Sequence, residues 1–297
     1  MTVRACCLLA LVALVGCGAE APGETRDDLD RVVTLDAVPA TVLPLAPNVT
    51  ELVAAAAGVD RLAGVAVSDD HPPGIQALPR YQSYPLDVEA VVALAPALAV
   101  GSDDVTPADQ ADRLERLGVP TYLFQFGDVG DVPRALRTLD TLLGTTGGAE
   151  VARDFERRVE AVRSRVQTER APRVLLLVGD APGTLYAFGE GSYASDIVRL
   201  AGGDNVTDVY PGLRAEPGEE AVLDLAPEVV VVAGREDYDA ADLLDAHPAL
   251  FPLPAVQNDR VYGLDADLIL RPGPRLVEAL ERLARRLHPQ AFAAGAA

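Results

Sequence analysis

The sequence predicts an α/β protein of two lobes with parallel sheets, joined by one long α-helix. Three observations predict it. Apolar runs of strand length alternate with helix-patterned segments over residues 31–131, and do so again over 171–297. The stretch between them, 132–170, carries helical patterning and no strand signal. An octad in the first half, Glu89-Ala90-Val91-Val92-Ala93-Leu94-Ala95-Pro96, matches Glu220-Ala221-Val222-Leu223-Asp224-Leu225-Ala226-Pro227 in the second at six of eight positions.

In chain order, Arg31 to Leu35 and Thr41 to Leu45 read as short strands, β-branched or apolar throughout. Asn48 to Gly58 reads as a helix, with Asn48 as N-cap and Gly58 as stop. Arg61 to Val67 returns to strand. Asp87 to Leu94 is a helix ended by Pro96, and Ala97 to Val100 is a buried strand. Thr106 to Leu117 is helical and Pro120 to Phe126 is another strand. Strands alternating with helices imply a parallel sheet with right-handed crossovers, so each lobe is expected to be Rossmann-like. Between the lobes, Gly144, Gly147 and Gly148 interrupt the helical pattern. The second piece carries Val151, Phe155, Val159, Val162 and Val166 at spacings of three and four, one apolar stripe on a helix. A helix of about 20 residues runs ~30 Å. In the second lobe Arg173 to Val178 is a nearly continuous apolar strand. Val229 to Val232 follows the second octad as Ala97 to Val100 follows the first, and Pro274 to Leu287 is a C-terminal helix.

The chain has 297 residues, long for one core and suited to two lobes. Its formal charge is -20 and every basic residue is Arg. An acidic surface argues against a nucleic-acid partner, whose phosphates it repels. At the N-terminus Arg4 precedes an apolar run, Ala5 to Val15, of signal-peptide length and too short to span a bilayer. The run closes on Leu14-Val15-Gly16-Cys17, which resembles the lipobox of bacterial lipoproteins. That resemblance implies that residues 1–17 are a lipoprotein signal, that Cys17 carries the lipid, and that the body is extracytoplasmic and membrane-anchored. Cys6 and Cys7 would then be removed, leaving no thiol to misoxidise. Gly18 to Asp30 is polar and acidic and reads as a flexible tether reaching on the order of 20 Å.

Several segments carry a wider resemblance. They are Asn48-Val49-Thr50-Glu51-Leu52, Ser68-Asp69-Asp70-His71-Pro72-Pro73, Gly189-Glu190-Gly191-Ser192-Tyr193 with Leu200-Ala201-Gly202-Gly203-Asp204-Asn205, and Arg271-Pro272-Gly273-Pro274-Arg275. With the two lobes, the bridging helix and the lipobox, the chain resembles a class III substrate-binding lipoprotein of an ABC importer. These are helical-backbone receptors for cobalamin, haem or ferric siderophores. The resemblance implies a monomeric receptor, not an enzyme and without a cofactor of its own, that binds a metal chelate between its lobes and delivers it to a permease dimer. It also gives the octads a meaning. Glu89 and Glu220 stand where the family places one exposed Glu per lobe to dock onto permease Arg residues by charge-assisted contacts. The competing reading is a pair of solvated glutamates near helix starts.

For the ligand, the resemblance points to loops facing the cleft. Tyr81 and Tyr84 precede the Glu89 helix, where the family places aromatic contacts. Tyr193 lies by the glycine segment, with Tyr186 and Phe188 nearby, and Tyr210 precedes the Glu220 helix. Their flat faces suit a corrin or porphyrin, and each has a core or surface aromatic as its plain alternative. Asp267 and Arg271 stand at positions like those of cobalamin-binding relatives, where Asp accepts and Arg donates; a structural Asp–Arg ion pair is the equal alternative. His71 is a further ligand candidate, or a hydrogen-bonded loop residue. With three His in the chain, a His-rich zinc or manganese site has too few ligands. Cobalamin, uncharged and amide-rich, fits best. Haem is kept open by the paired Tyr, and ferric siderophores fit less well because the cleft loops hold few Arg besides Arg214 and Arg271.

One enzyme reading competes. Gly189-x-Gly191-x-x-Ala194 follows a strand and opens a helix, as a dinucleotide fingerprint does, which would make an exported NAD-type oxidoreductase. Glu190 between the glycines opposes it by repelling a pyrophosphate.

Overall fold

The computed structural model describes residues 23–179 and 184–293; Cys17, the expected anchor, lies outside them. The described chain begins with an antiparallel hairpin of β1 (Gly23–Arg26) and β2 (Val32–Leu35). Of the tether expected over residues 18–30, residues 23–30 belong to this hairpin, where polar side chains hold the turn, and residues 18–22 lie outside the described residues. The buried Asp27 carboxylate accepts from the backbone N–H of Leu29, Arg31 and Leu123. Arg31 pairs with Asp27 at 2.8 Å and also reaches Asp112 and Glu115. Polar composition alone reads as solvated chain, whereas here it satisfies the turn's own backbone groups.

The N-terminal lobe follows with β3 (Val42–Pro44), α1 (Pro47–Ala57), β4 (Val65–Ala66), β5 (Arg80–Tyr81), α2 (Val88–Ala93), β6 (Leu98–Ser102), α3 (Ala108–Arg116) and β7 (Thr121–Phe124). Strands β3, β6 and β7 form a parallel sheet with β6 central, and β4 and β5 a separate parallel pair. Pro47 at the first helical position fixes the start of α1, so Asn48 lies one residue inside the helix and is not its cap. Gly58 ends α1 as expected, at φ 89°. The strand expected over Arg61 to Val67 shortens to β4, after a 3-10 turn at Val59–Arg61.

The expected interlobe helices are α4 (Asp131–Leu143) and α5 (Gly147–Val166). Gly144 closes α4 in the left-handed region at φ 63°. From α4, the Asp140 carboxylate accepts from the backbone N–H of Gly148 at 2.9 Å and Ala149 at 2.6 Å, two of the four orphan donors at the start of α5. The approach is close: a Cβ on Gly148 would lie 2.2 Å from the Leu136 carbonyl oxygen.

The C-terminal lobe comprises β8 (Arg173–Val178), β9 (Ala187–Phe188), α6 (Tyr193–Leu200), β10 (Asp204–Asn205), β11 (Arg214–Ala215), α7 (Glu219–Leu225), β12 (Val229–Gly234), α8 (Ala240–Ala246), α9 (Pro254–Gln257), β13 (Val261–Asp265), α10 (Ala266–Ile269), α11 (Leu276–Leu287) and α12 (Pro289–Ala293). Strands β10, β8, β12 and β13 pair in parallel, while β9 and β11 extend the sheet antiparallel. The octads occupy α2 and α7. Just past each helix an alanine takes the left-handed region, Ala95 at φ 45° and Ala226 at φ 43°, each followed by proline and then by β6 or β12. A left-handed alanine is unfavourable, so its recurrence at one repeat position supports a real internal repeat.

Strand residues alternate between two cores in each lobe. Val42, Leu98 and Val100 face the same core as α1 and α4, while Leu43, Leu45 and Ala99 face the side of α2 and α3. In the second lobe Val174, Leu176, Val229 and Val231 face α6 and α11, and Leu175, Leu177, Val230 and Val232 face α7 and α8. The inner core is continuous between the lobes, because Phe155, Val162 and Val166 of α5 belong to it with residues of both. Among the described residues no helix is long and apolar enough to cross a membrane.

The tight start of α5 makes Gly148→Ala costly. Urea unfolding is expected to show a loss of about 1–3 kcal/mol. Gly234→Ala, where a Cβ meets nothing within 4 Å, serves as the near-neutral control. Equal midpoints for the two variants would contradict the close α4–α5 approach.

Candidate functional site

A cleft of about 750 Å³ opens between the lobes, within the size range of small-ligand sites. The ends of β6 and β7 deliver its N-terminal wall, Asp103, Asp104, Gln125, Phe126 and Gly127. Side chains just past the carboxyl ends of parallel strands are where α/β sheets expose functional groups. Val178, Tyr186, Phe188, Tyr193, Leu213, Arg214 and Leu270 belong to the C-terminal wall. One wall is therefore acidic and amide-bearing, and the other aromatic with a single guanidinium.

Both acidic residues are held in place. Gln125 Nε2 donates to Asp103 at 2.9 Å, and Ser102 Oγ donates to Asp104. Burial, and then the charge of Asp104, push the Asp103 carboxyl above the usual carboxylate range. On the facing wall, Tyr193 is 9% exposed and its ring lies 6.0 Å from that of Phe188. Burial and the Asp104 charge push its phenol up, against an opposing pull from Arg214, so it stays protonated at neutral pH.

The glycine segment shapes this wall. A Cβ on Gly189 would lie 2.5 Å from the Gly212 carbonyl oxygen, and Gly191 takes φ 84°, open to glycine alone at little cost. Ser192 caps α6, its Oγ accepting from Ser195 N–H at 3.0 Å. The strand before the glycines, β9, runs antiparallel to β8. A dinucleotide fingerprint needs a parallel strand feeding its helix, so that reading is overturned.

Of the residues singled out from the sequence, Tyr193 lines the cleft, with Tyr186 and Phe188 beside it. Tyr81 is a correction. It is 3% exposed, packs with Leu43, Leu45 and Val88, and its hydroxyl donates to the Pro44 carbonyl. A phenol that reaches a backbone acceptor is buried in full, and burial pushes it up strongly. Tyr84 is 77% exposed and outside the cleft lining. Half-buried His71 is also outside it, and so is Tyr210, whose carbonyl accepts from Glu190 N–H at 3.1 Å while its ring packs on the outer core. His247 and His288 end α8 and α11, bonded to Glu219 and to the Gly202 carbonyl. Glu89 and Glu220 are exposed on α2 and α7, without an ion pair to any described residue.

Asp267 and Arg271 join the lobes instead of lining the cleft. Arg271 pairs with Asp267 at 2.8 Å and, across the lobes, with Asp70 at 2.6 Å. Burial and the neighbouring Asp70 keep the Asp267 carboxyl above its ordinary range against the pull of Arg271. For Asp70, burial acts the same way but the Arg271 contact outweighs it, so that carboxyl sits low. Beside this cluster, Glu51 of α1 is 4% exposed and takes a two-pronged contact from Arg275, at 2.9 and 2.6 Å. The Asn48 side-chain amide donates to the Pro272 carbonyl at 3.5 Å, and Thr50 Oγ1 donates to Asp69 at 2.8 Å. Three of the segments that carried the sequence resemblance thus meet in one interlobe joint. The cleft residues Asp103, Asp104, Gln125 and Phe126 were not singled out from the sequence; the available signal was their position after one predicted strand, Ala97 to Val100, and at the end of another, Pro120 to Phe126.

Comparison with known proteins agrees with this architecture. The family model for periplasmic binding proteins matches residues 42–268. Over 98% of both chains, 24% identity relates the sequence to an uncharacterized ABC transporter substrate-binding lipoprotein, YvrC, of Bacillus subtilis. A vitamin B12-binding protein of Vibrio parahaemolyticus is 27% identical over 80% of this chain and 86% of its own. Among solved structures, a periplasmic heme binding protein of Pseudomonas aeruginosa superposes with a TM-score of 0.75 at 27% identity, covering 85% of this chain and 94% of the other. These relatives are binding proteins, not enzymes.

The joint predicts a marked asymmetry between variants. Arg275→Met leaves the Glu51 carboxylate buried without a partner and is expected to cost about 3–5 kcal/mol. Adding Glu51→Leu should recover most of that loss, as read in a double-mutant cycle of urea midpoints. A double variant no more stable than Arg275→Met alone would deny the pair its role.

Proposed function

We propose, for a chain that belongs to the periplasmic binding protein family, that it is the lipid-anchored, extracytoplasmic receptor of an ABC importer and that its cargo is cobalamin. The cleft's two unlike walls carry this reading. Tyr186, Phe188 and Tyr193 offer flat apolar faces to a macrocycle, while Asp103 and Asp104 offer acceptors to its periphery. An uncharged, amide-rich corrin suits both walls. A ligand bearing carboxylates meets two acidic side chains with one guanidinium, Arg214, to offset them. The relatives named as vitamin B12-binding proteins agree with it. Delivery would run through Glu89 and Glu220, one exposed carboxylate on each lobe in equivalent helices, meeting paired basic pockets on a permease dimer.

Haem is the second reading, and a specific observation favours it. Tyr186 lines the cleft at 44% exposure, so the cleft presents a phenol to a bound chelate, and a heme binding protein shares the fold at comparable similarity. The acidic wall weighs against it, because haem carries two propionates.

Titration of the full chain by absorbance and calorimetry tests the cargo. Cyanocobalamin is expected to bind with a Kd below about 10 μM and more tightly than haemin. The reverse order would assign haem, and binding of neither would overturn the receptor reading. For docking, Glu89→Ala combined with Glu220→Ala should abolish uptake in cells while leaving the Kd unchanged. A weakened Kd would place those residues in the cleft or the fold instead.

A further inference from the structure

Within the cleft, three polar side chains of unlike hydrogen-bonding character share one lining, and their needs are not met inside the protein. Tyr193 is nine-tenths buried and lines the cavity, yet its phenol has no hydrogen-bond partner among the described residues. Arg214 lines the same cavity from β11 and forms no ion pair with a described residue. Asp104 stands on the facing wall, where one carboxylate oxygen accepts from Ser102 and the other has no partner among the described residues. The charges of Asp104 and Arg214 both act on the Tyr193 phenol, with opposite sign, which sets the three within one another's fields. Asp104 and Arg214 are exposed to the cleft and the Tyr193 phenol opens onto it, so all three are free to bond one guest.

The three select one functional group. Tyr193 O–H and the Arg214 guanidinium can donate, whereas an ionised Asp104 can only accept. A ligand carboxylate suits the two donors but faces Asp104 with like charge. An ammonium suits Asp104 but offers nothing to the donors and is repelled by Arg214. A primary carboxamide answers all three, its carbonyl accepting from Tyr193 or Arg214 while its NH2 donates to Asp104. We infer that Asp104, Tyr193 and Arg214 form a carboxamide-reading station that admits an amide-edged chelate and disfavours its carboxylate counterpart. The inference rests on the reading of this cleft as the ligand site. Asp103, beside Asp104 and held by Gln125, adds to the discrimination against anionic edges.

Matched ligand pairs test it on the full chain by calorimetry. The pairs are cyanocobalamin with each of its singly hydrolysed monoacids, and haemin with haemin diamide. Wherever a pair binds, the amide member is expected to bind tighter, by about 10-fold or more for haemin diamide and against at least one cobalamin monoacid. Asp104→Asn replaces the acceptor-only group with one that also donates and should shrink that preference to within about threefold. Amide and acid bound equally, or a preference untouched in Asp104→Asn, would overturn the station while leaving the cleft as the ligand site. If none of these ligands binds at about 1 mM, the station falls together with the reading of the cleft.

Discussion

The placement of the two lobes depends on a joint of buried charge. Glu51 of α1 and Arg275 before α11 form its centre, and Asp70, Arg271 and Asp267 flank it. Taking a carboxylate out of water is costly, and the Coulombic return offsets that cost only when geometry and hydrogen bonding are good. The two-pronged Arg275 contact supplies such geometry. An apolar joint of similar volume would hold the lobes together as well, but it would not fix their register with the directionality of a planar guanidinium. The continuous core along α5 supplies adhesion, and the ion pairs supply angle. The two walls of the cleft face each other only because both are in place.

The cleft inherits its chemistry from this arrangement. Parallel strands β6 and β7 project Asp103, Asp104 and Gln125 from one lobe. In the other, the glycine segment and the short antiparallel strands β9 and β11 build a wall of rings. Each wall is unremarkable alone: a polar strand end, and an aromatic patch partly packed on itself. In the proposed reading, recognition would arise from their opposition across a gap, which suits a ligand with a flat face and a polar edge.

Much of the fold was legible in the sequence because it rests on periodicity. The stripe of Val151, Phe155, Val159, Val162 and Val166 gave α5, and the octads gave α2 and α7, down to the proline that follows each left-handed alanine. The misreadings share a different cause. Tyr81 and Asp27 sit in polar-looking contexts, yet each finds a backbone partner that lets it be buried, and such a partner is set by tertiary approach. The segments around Asn48, Asp70 and Arg271 stand out as family-like, with His71 a ligand candidate and Asp267 and Arg271 open to either a ligand role or a structural ion pair. The structure gives Asn48, Asp70, Asp267 and Arg271 to the interlobe joint. Pairing between residues some two hundred positions apart leaves no local pattern. Of the candidate site, Tyr193 was legible through its glycine neighbours, while Asp103 and Asp104 were hidden among many acidic residues of an acidic chain.

The N-terminal hairpin changes how far the body can wander. With Gly23 already paired to Leu35, a lipid on Cys17 would be joined by about six residues, at most ~20 Å when fully extended. Asp27 and Asp28 tie the hairpin turn to the edge of β7, so this leash would pull on the N-terminal lobe alone. A body so anchored would swivel over the bilayer more than it roams, and would meet a membrane partner at a high effective concentration. Finding the permease would then be a matter of turning to the right face, with the anchored lobe as the pivot.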